Sequence, residues 1–299
     1  MIERLRRDGD LELNPYLVNS AFIYDEAKRS ALSAICRQYM DIGHRFGMPL
    51  LMSTPTWRAS RERIEAAGYS GVDVNGDNVR FLNLLRSSYG GYAEKIIICG
   101  LMSCRGDAYN PAESLAVDEA RKFHTWQAKK LADAGVDFLL AATLPACCEA
   151  TGLALALAAT GKPYMVSFVV RPEGTLLDGT PLKDAITVID AAVTPRPLAY
   201  MINCTHASFA KTALLHDVNS SPMVRQRIVG LLANTAALSP EDLNDSTTLV
   251  EEDPETFGQS VAAMHNELGL KILGGCCGTD QRHISSLAAR LAAATSEEN

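Results

Sequence analysis

Short apolar runs alternate with longer amphipathic segments along almost the whole chain. Apolar runs that are bounded by turn residues are typical of buried strands, whereas apolar residues that recur every three to four positions are typical of helices. The predicted strands span residues 11–13, 49–54, 96–100, 138–142, 164–169, 200–203, 228–233 and 271–274. The predicted helices span residues 26–44, 77–89, 112–134, 148–160, 182–191, 255–267 and 283–294.

This alternation predicts an α/β protein, and eight strand positions favour a (β/α)8 TIM barrel that forms a single domain over residues 1–299. An open doubly wound sheet is the alternative, although no G-x-G-x-x-G motif for a dinucleotide follows a predicted strand. We expect residues 1–20 to hold a divergent first strand and loop, and residues 295–299 to form a frayed tail. Residues 239–254 form a long predicted loop and a candidate lid.

Composition restricts the classes of protein that the chain can belong to. Its 299 residues are 47% hydrophobic and 21% charged, which is enough for a large core. A net charge of −7 without a basic cluster argues against a nucleic-acid partner. The start of the chain does not resemble a signal peptide and no apolar run is long enough for a bilayer, so we expect a cytoplasmic protein without a membrane partner. In that setting, eight cysteines indicate reduced thiols for metal binding or catalysis.

Two adjacent cysteines, Cys276 and Cys277, lie between glycines directly after the last predicted strand. Neighbouring cysteines reach disulfide geometry only with strain, so the pair is better explained as ligands of a soft metal. Zinc needs a further ligand, and Cys204 at the end of the sixth predicted strand is the best candidate. In a barrel all three thiols lie at the carboxyl ends of strands, where barrel enzymes place their chemistry.

The motifs around these cysteines resemble those of the zinc-dependent homocysteine S-methyltransferases. Asn203-Cys204-Thr205 is similar to the Asn-Cys motif of that family, and the stretch from Gly274 to Thr279 is similar to its Gly-Gly-Cys-Cys-Gly-Thr motif, which His283-Ile284 follows. The resemblance extends weakly over residues 20–294. It implies a Zn²⁺ cofactor held by the three cysteines.

Three thiolates on Zn²⁺ leave one position open, and a substrate thiol that enters it is held as a nucleophilic thiolate. The resemblance implies that the small-molecule thiol is homocysteine, which would be methylated to methionine. A sulfonium donor such as S-methylmethionine is favoured, because we expect 299 residues to leave no room for added folate or cobalamin domains beside a full barrel. A subunit working with a separate corrinoid protein, a degenerate zinc-binding barrel and a redox protein are the alternatives. The sequence leaves open whether the chain is a homo-oligomer.

The resemblance also implies substrate contacts from residues near the strand ends, namely Asn14, Thr54, Thr143, Asn203 and Asn234. Asn234 lines up with a family asparagine that can fill the open zinc position, and a bond to its own loop is an equal alternative. Thr54 opens a Thr-Pro-Thr-Trp turn whose hydroxyls can contact a carboxylate or cap the following helix.

Two features depart from the family pattern. Asn14 lies in a stretch, residues 11–16, that lacks the Gly-rich loop expected after the first strand. Ala142 takes the place of a glutamate that suits the substrate ammonium, so either Glu149 or Asp25 substitutes for it or the acceptor is not homocysteine.

Other candidate ligands are weaker. Cys147-Cys148 is a second adjacent pair, but it lacks flanking glycines and runs into a predicted helix, so we interpret it as packing. His206 is close enough in sequence to Cys204 to bind zinc or move a proton, although an ordinary loop role is favoured.

Overall fold

The computed structural model describes residues 2–6, 11–243 and 250–297. Seven parallel strands form one sheet in which each strand pairs with the next strand along the chain. They are β1 (Leu50–Ser53), β2 (Ile96–Met102), β3 (Phe138–Leu144), β4 (Tyr164–Phe168), β5 (Ala199–His206), β6 (Ile228–Asn234) and β7 (Ile272–Gly275). This arrangement confirms the predicted α/β class and excludes a doubly wound order for the described strands.

Helices connect the strands and cover the sheet. The α-helices are α1 (Ile2–Arg6), α2 (Glu26–Phe46), α3 (Arg61–Ala66), α4 (Val74–Ser87), α5 (Val117–Asp133), α6 (Cys147–Ala158), α7 (Leu182–Ala192), α8 (Ala207–Leu215), α9 (Pro222–Arg227), α10 (Pro240–Leu243), α11 (Pro254–Leu268) and α12 (Gln281–Glu297). The seven helices predicted from periodicity correspond to α2, α4, α5, α6, α7, α11 and α12. The candidate lid at 239–254 falls partly outside the described residues. No helix in the described ranges is both long and apolar enough to cross a membrane.

The predicted first strand at residues 11–13 is wrong. These residues are not in a strand, because the chain turns back on itself directly afterwards. Asn14 and Val18 exchange backbone hydrogen bonds, and the Asn14 side chain accepts from the amides of Tyr16 and Leu17. The structure therefore has seven of the eight expected strands among its described residues.

The outer edges of β1 and β7 have no strand partner among the described residues. A cavity of about 850 Å³ reaches from the inner face of the sheet to helices α2 and α12, and both edge strands line it. Its inner wall is apolar, with Phe138, Met201 and Leu232 among its side chains. The described fold is thus a seven-stranded, barrel-like sheet that is open between β1 and β7.

Side chains alternate between two apolar layers along each strand. Leu139 and Ala141 of β3 belong to the large core between the sheet and the helices, whereas Leu140 and Ala142 face the smaller inner core. Parallel strands buried on both faces give the continuous apolar runs that the sequence shows. Because the strands run in the same direction, the ends of β5, β6 and β7 lie along one rim of the sheet.

Helices α5 and α6 pack unusually closely because α6 carries a glycine at the contact. A Cβ atom on Gly152 would lie 2.2 Å from the carbonyl oxygen of Val117 and 2.6 Å from Cβ of Ala120. This close approach also brings His124 of α5 against Glu149 of α6.

We expect Gly152→Ala to lower the free energy of unfolding by about 1–3 kcal/mol, because the added methyl group must push the two helices apart. Chemical denaturation measures the change. Gly91→Ala is the matched control, since its Cβ would meet nothing within 4 Å. Equal stability of the two variants would contradict the close contact described here.

Candidate metal centre

Three thiols converge at the carboxyl-terminal rim of the sheet. The sulfur atoms of Cys204, Cys276 and Cys277 all lie within 4.8 Å of one another, and those of Cys204 and Cys276 are 2.7 Å apart. Among the described residues, this is the one group of three or more His, Cys, Asp or Glu side chains placed to hold a metal ion. The structure thus brings together the three ligands that the sequence predicts. Their role as metal ligands stays a prediction.

Cys204 reaches the cluster from within a strand rather than from after it. It lies in β5, where the pairing with β6 shifts register between Asn203 and Thr205. Its φ angle of 52° is in the left-handed region, which is strained for a residue with a Cβ. Such strain persists only where the surroundings hold it, and it is common at functional sites.

The double-cysteine loop is fixed to the end of β6. Cys276 donates its backbone N–H to the carbonyl oxygen of Ala233, and Cys277 donates its own to the Asn234 side-chain oxygen. Gly278 has a φ of 81°, and a Cβ there would lie 1.9 Å from the Thr235 hydroxyl oxygen, so glycine is required.

The three thiols cannot all ionise independently. Hydrogen bonds to Cys276 and Cys277, together with burial, raise the pKa of Cys204 well above its ordinary value. The hydrogen bond from Cys204 lowers the pKa of Cys276. The hydrogen bond from Cys204 lowers the pKa of Cys277. The hydrogen bond to Cys276 and burial have the larger combined effect and raise that pKa to about 12. The hydrogen bonds among the thiols therefore favour the thiolate form at Cys276 over Cys204 and Cys277.

The donor set fits zinc. Thiolate sulfurs bind zinc at about 2.3 Å in tetrahedral sites, which corresponds to a separation of about 3.8 Å between sulfurs. The three sulfurs here lie within 4.8 Å of one another, and those of Cys204 and Cys276, which are 2.7 Å apart, would need to separate by about 1 Å. A cation between them would also remove the electrostatic cost of ionising all three thiols.

Asn234 and Tyr109 form one side of the cluster. Asn234 is 1% exposed, and its side-chain oxygen accepts the hydrogen bond from the Cys277 N–H. Only its Nδ2 group is therefore left to bond to another group. Nδ2 forms no hydrogen bond of ordinary length and angle with a described residue. Tyr109 lies beside Asn234 and packs against the buried cluster of Val169, Leu177 and Cys204, which Cys276 also contacts. Burial, followed by the three thiols, raises the pKa of the Tyr109 phenol, so the phenol is a donor at neutral pH.

Sequence reasoning missed Tyr109. It carries no motif, and its position in the loop after β2 is the one signal that points to the rim.

Asn203 and Thr143 bind each other. The Asn203 oxygen accepts from the Thr143 amide and the Ser167 hydroxyl, and its nitrogen donates to the Thr143 hydroxyl. Thr143 has a φ of 59°, so these bonds hold a second left-handed residue next to Cys204. The Thr143 hydroxyl oxygen is 4.0 Å from the Cys204 sulfur. The pair supports the backbone under the thiols, and its predicted contact with substrate stays a prediction.

Thr54 and Asn14 make bonds within the protein. The Thr54 hydroxyl bonds to that of Thr56 and accepts from the Leu101 amide, which ties the end of β1 to β2. It does not cap α3, whose N-cap residue is Ser60. The Asn14 side chain is used in its own turn. Substrate binding by either residue stays a prediction.

Both ring nitrogens of His206 face partners other than the three thiols. Its Nδ1 accepts from the Ser208 amide at the start of α8, and its Nε2 is 3.7 Å from a Glu252 oxygen. That Glu252 oxygen is buried and has no hydrogen-bond partner among the described residues.

The two carboxylates that were candidates for the ammonium site are occupied elsewhere. Glu149 is fully buried and accepts hydrogen bonds from Arg105, Leu115 and His124. Asp25 is exposed and caps α2 through the Lys28 amide. The rival pair is separate from the cluster as well, since Cys148 is exposed and Cys147 lies against Thr151.

The amino-acid sequence of this chain is similar to those of several known methyltransferases. A homocysteine S-methyltransferase of Escherichia coli K12 is 29% identical over 192 residues, which are 62% of this chain and 57% of the relative. Homocysteine S-methyltransferase YbgG of Bacillus subtilis 168 is 28% identical over 62% of this chain and 56% of its own length. The chain thus matches little more than half the length of these two relatives. Betaine–homocysteine S-methyltransferase 1 of Bos taurus is 24% identical over 96% of this chain and 70% of the relative.

The solved structures show the fold. The metallated form of the homocysteine methyltransferase MmuM from Escherichia coli superposes with a TM-score of 0.74 at 21% identity, covering 97% of this chain and 94% of that one. The sequence model of the homocysteine S-methyltransferases matches residues 1–291, which is nearly the whole chain. This protein therefore belongs to the homocysteine S-methyltransferase family.

Proposed function

We propose that this protein methylates a small-molecule thiol at a zinc ion held by Cys204, Cys276 and Cys277. The observation that carries the proposal is the convergence of three sulfurs within 4.8 Å at the carboxyl-terminal rim. Three thiolate ligands leave one of four tetrahedral positions for substrate. The family match over residues 1–291 supports the same chemistry.

Zinc, when bound, supplies the positive charge that keeps an acceptor thiol ionised at neutral pH. The acceptor sulfur attacks the methyl carbon of the donor, a carbon–sulfur bond forms, and the donor sulfur leaves with the old bonding pair. The protein's own contribution is to position the site: Asn234 fixes the Cys277 amide, and Asn203 fixes the backbone at Thr143 beside Cys204.

Homocysteine is the proposed acceptor, which would give methionine, and a sulfonium such as S-methylmethionine is the proposed donor. A sulfonium donor becomes a neutral thioether as it leaves, so no further cofactor is needed. Delivery of the methyl group by a separate corrinoid protein is the alternative, and assays with purified small molecules distinguish the two.

We also propose that the complete fold is the eight-stranded barrel. The unpaired edges of β1 and β7 and the apolar cavity of about 850 Å³ beside them support an additional parallel strand at this position. A strand there would close the sheet and cover the exposed backbone groups of both edges.

The ammonium of a homocysteine acceptor needs a carboxylate, and Ala142 does not supply one. Glu252 is our candidate, because it approaches His206 at the same rim and has a buried oxygen without a hydrogen-bond partner. His206 pairs with Asn234 in the sheet, which supports a position for this carboxylate on the same rim as the thiol cluster.

Cys276→Ser should lower zinc from about one ion per chain to well below one and abolish methyl transfer, because a hydroxyl replaces a thiolate ligand. Zinc content is measured after purification under reducing conditions, and transfer is measured with homocysteine and S-methylmethionine. Cys148→Ser is the matched control, since this exposed cysteine belongs to the other pair and should change neither value. Full zinc content and rate in Cys276→Ser would refute the assignment.

Glu252→Gln should raise KM for homocysteine about tenfold, because one charged partner of the ammonium is lost. KM for 3-mercaptopropionate, a thiol without the amino group, should change little. Exposed Glu251, which is adjacent in sequence, gives the control variant Glu251→Gln. Equal effects of Glu252→Gln on both acceptors would remove Glu252 from ammonium recognition.

A further inference from the structure

We propose that Tyr109 contacts the acceptor, by donating a hydrogen bond to its sulfur, and that the buried Glu149–His124 pair holds Tyr109 in place. Tyr109 would then be a specificity-determining residue and Glu149 a positioning residue. The inference rests on the proposed function, because it assumes that an acceptor thiol binds at the three cysteines.

The first observation is the place of the Tyr109 side chain. It packs against a small cluster of buried residues that includes Val169, Leu177 and Cys204, and Cys276 packs against the same cluster. The ring therefore forms one wall of the thiol site. Its hydroxyl is a donor at neutral pH, as an unperturbed tyrosine would also be.

The second observation is the unpartnered donor on Asn234. The Cys277 N–H is a donor, so the atom of the Asn234 side chain that it contacts must be the oxygen. The Nδ2 group therefore points away from Cys277. Nδ2 is buried and forms no hydrogen bond of ordinary length and angle with a described residue, although it lies close enough to the Tyr109 hydroxyl to lower the pKa of that phenol. A buried amide without an acceptor is costly, so it points to a ligand that supplies one.

Two neighbouring donors beside three sulfurs suit an electron-rich acceptor atom. A thiolate sulfur accepts hydrogen bonds and carries negative charge, so it matches the Tyr109 hydroxyl and the Asn234 amide together. A methyl sulfonium carries positive charge and offers no such acceptor. The pair therefore selects for the acceptor thiol rather than for the methyl donor.

The third observation is the anchoring of the loop that carries Tyr109. The Glu149 carboxylate accepts from the backbone N–H of Arg105 at 2.7 Å and from that of Leu115 at 3.2 Å. These residues lie four positions before and six positions after Tyr109. One buried carboxylate thus fastens both ends of the loop.

His124 completes this anchor. It is 1% exposed and lies 3.0 Å from the same Glu149 oxygen that Arg105 binds. Glu149 belongs to the first turn of α6 and His124 to α5, so the loop is tied to the closely packed helix pair. Both oxygens of a carboxylate accept, so Glu149 can accept these three hydrogen bonds at once. A glutamine side chain has one oxygen that accepts and one NH2 group that donates, so it cannot accept all three in the same way.

Inside the loop, further bonds hold the segment before Tyr109. The Tyr109 amide donates to the Asp107 carboxylate, and the Asp107 amide donates to Glu113. Arg58 donates to the Gly106 carbonyl oxygen. The loop is therefore preorganised, and loss of the Glu149 anchor should change the position of Tyr109 without removing any metal ligand.

The test measures binding of homocysteine to the zinc-loaded protein by titration calorimetry, without a methyl donor. Tyr109→Phe should keep about one zinc per chain and raise the Kd about tenfold, because one hydrogen bond to a charged acceptor is lost. Glu149→Gln should also raise the Kd and should increase amide hydrogen exchange in residues 105–115.

A double-mutant cycle tests whether Glu149 acts through Tyr109. If it does, the Kd of the double variant should equal the higher of the two Kd values of the single variants. If the two residues act independently, the factors by which the single variants raise the Kd should multiply. Asp190→Asn is the matched control: this partly buried carboxylate binds Arg227 and Tyr200, so its loss should lower stability without changing the Kd. If Glu149→Gln does not fold, His124→Asn removes one bond of the same anchor and takes its place in the cycle.

An unchanged Kd in Tyr109→Phe would overturn the inference while leaving the proposed function intact. Multiplying effects in the cycle would overturn the positioning role of Glu149. Wild-type protein that holds zinc but binds no homocysteine would instead contradict the proposed function itself.

Discussion

Thiolates held a few ångströms apart repel one another unless a cation lies between them, and this constraint dominates the rim of the sheet. The chain brings Cys204, Cys276 and Cys277 together from two strand ends that are far apart in sequence. Parallel strands make this possible, because their carboxyl ends meet at one edge. The hydrogen bonds among the three thiols lower the pKa of Cys276 and raise those of Cys204 and Cys277, and a divalent cation between them would favour ionisation of all three.

The residues around the cluster are organised to keep it in place. Cys204 and Thr143 both have left-handed backbone angles, and the Asn203 side chain bonds to Thr143 across two strands. Asn234 holds the double-cysteine loop through the Cys277 amide. Rigid support of this kind fixes the three sulfurs in advance, so an ion or molecule that binds there would not need to order them.

The sequence was informative where local pattern and chemistry coincide. Seven of the strands and the long helices follow from periodicity, and the glycines around Cys276 and Cys277 indicate a tight ligand loop. The strand at 11–13 was wrong because two apolar residues in a stretch of three carry little periodic signal and the Asn14 turn overrides them. Asn203 and Thr54 were linked to substrate by resemblance, but partners that are distant in sequence, such as Ser167 and Leu101, engage their polar atoms. Tyr109 was missed because its role depends on three-dimensional neighbours and not on a motif.

X-ray absorption at the zinc edge tests the central claim most directly, because it counts the sulfur atoms bound to the metal in the intact protein. The account predicts three sulfur neighbours at about 2.3 Å in the protein alone, and four after homocysteine is added. A zinc ion with fewer than three sulfur neighbours, or one whose shell is unchanged by the thiol, would contradict a thiol-activating site at Cys204, Cys276 and Cys277.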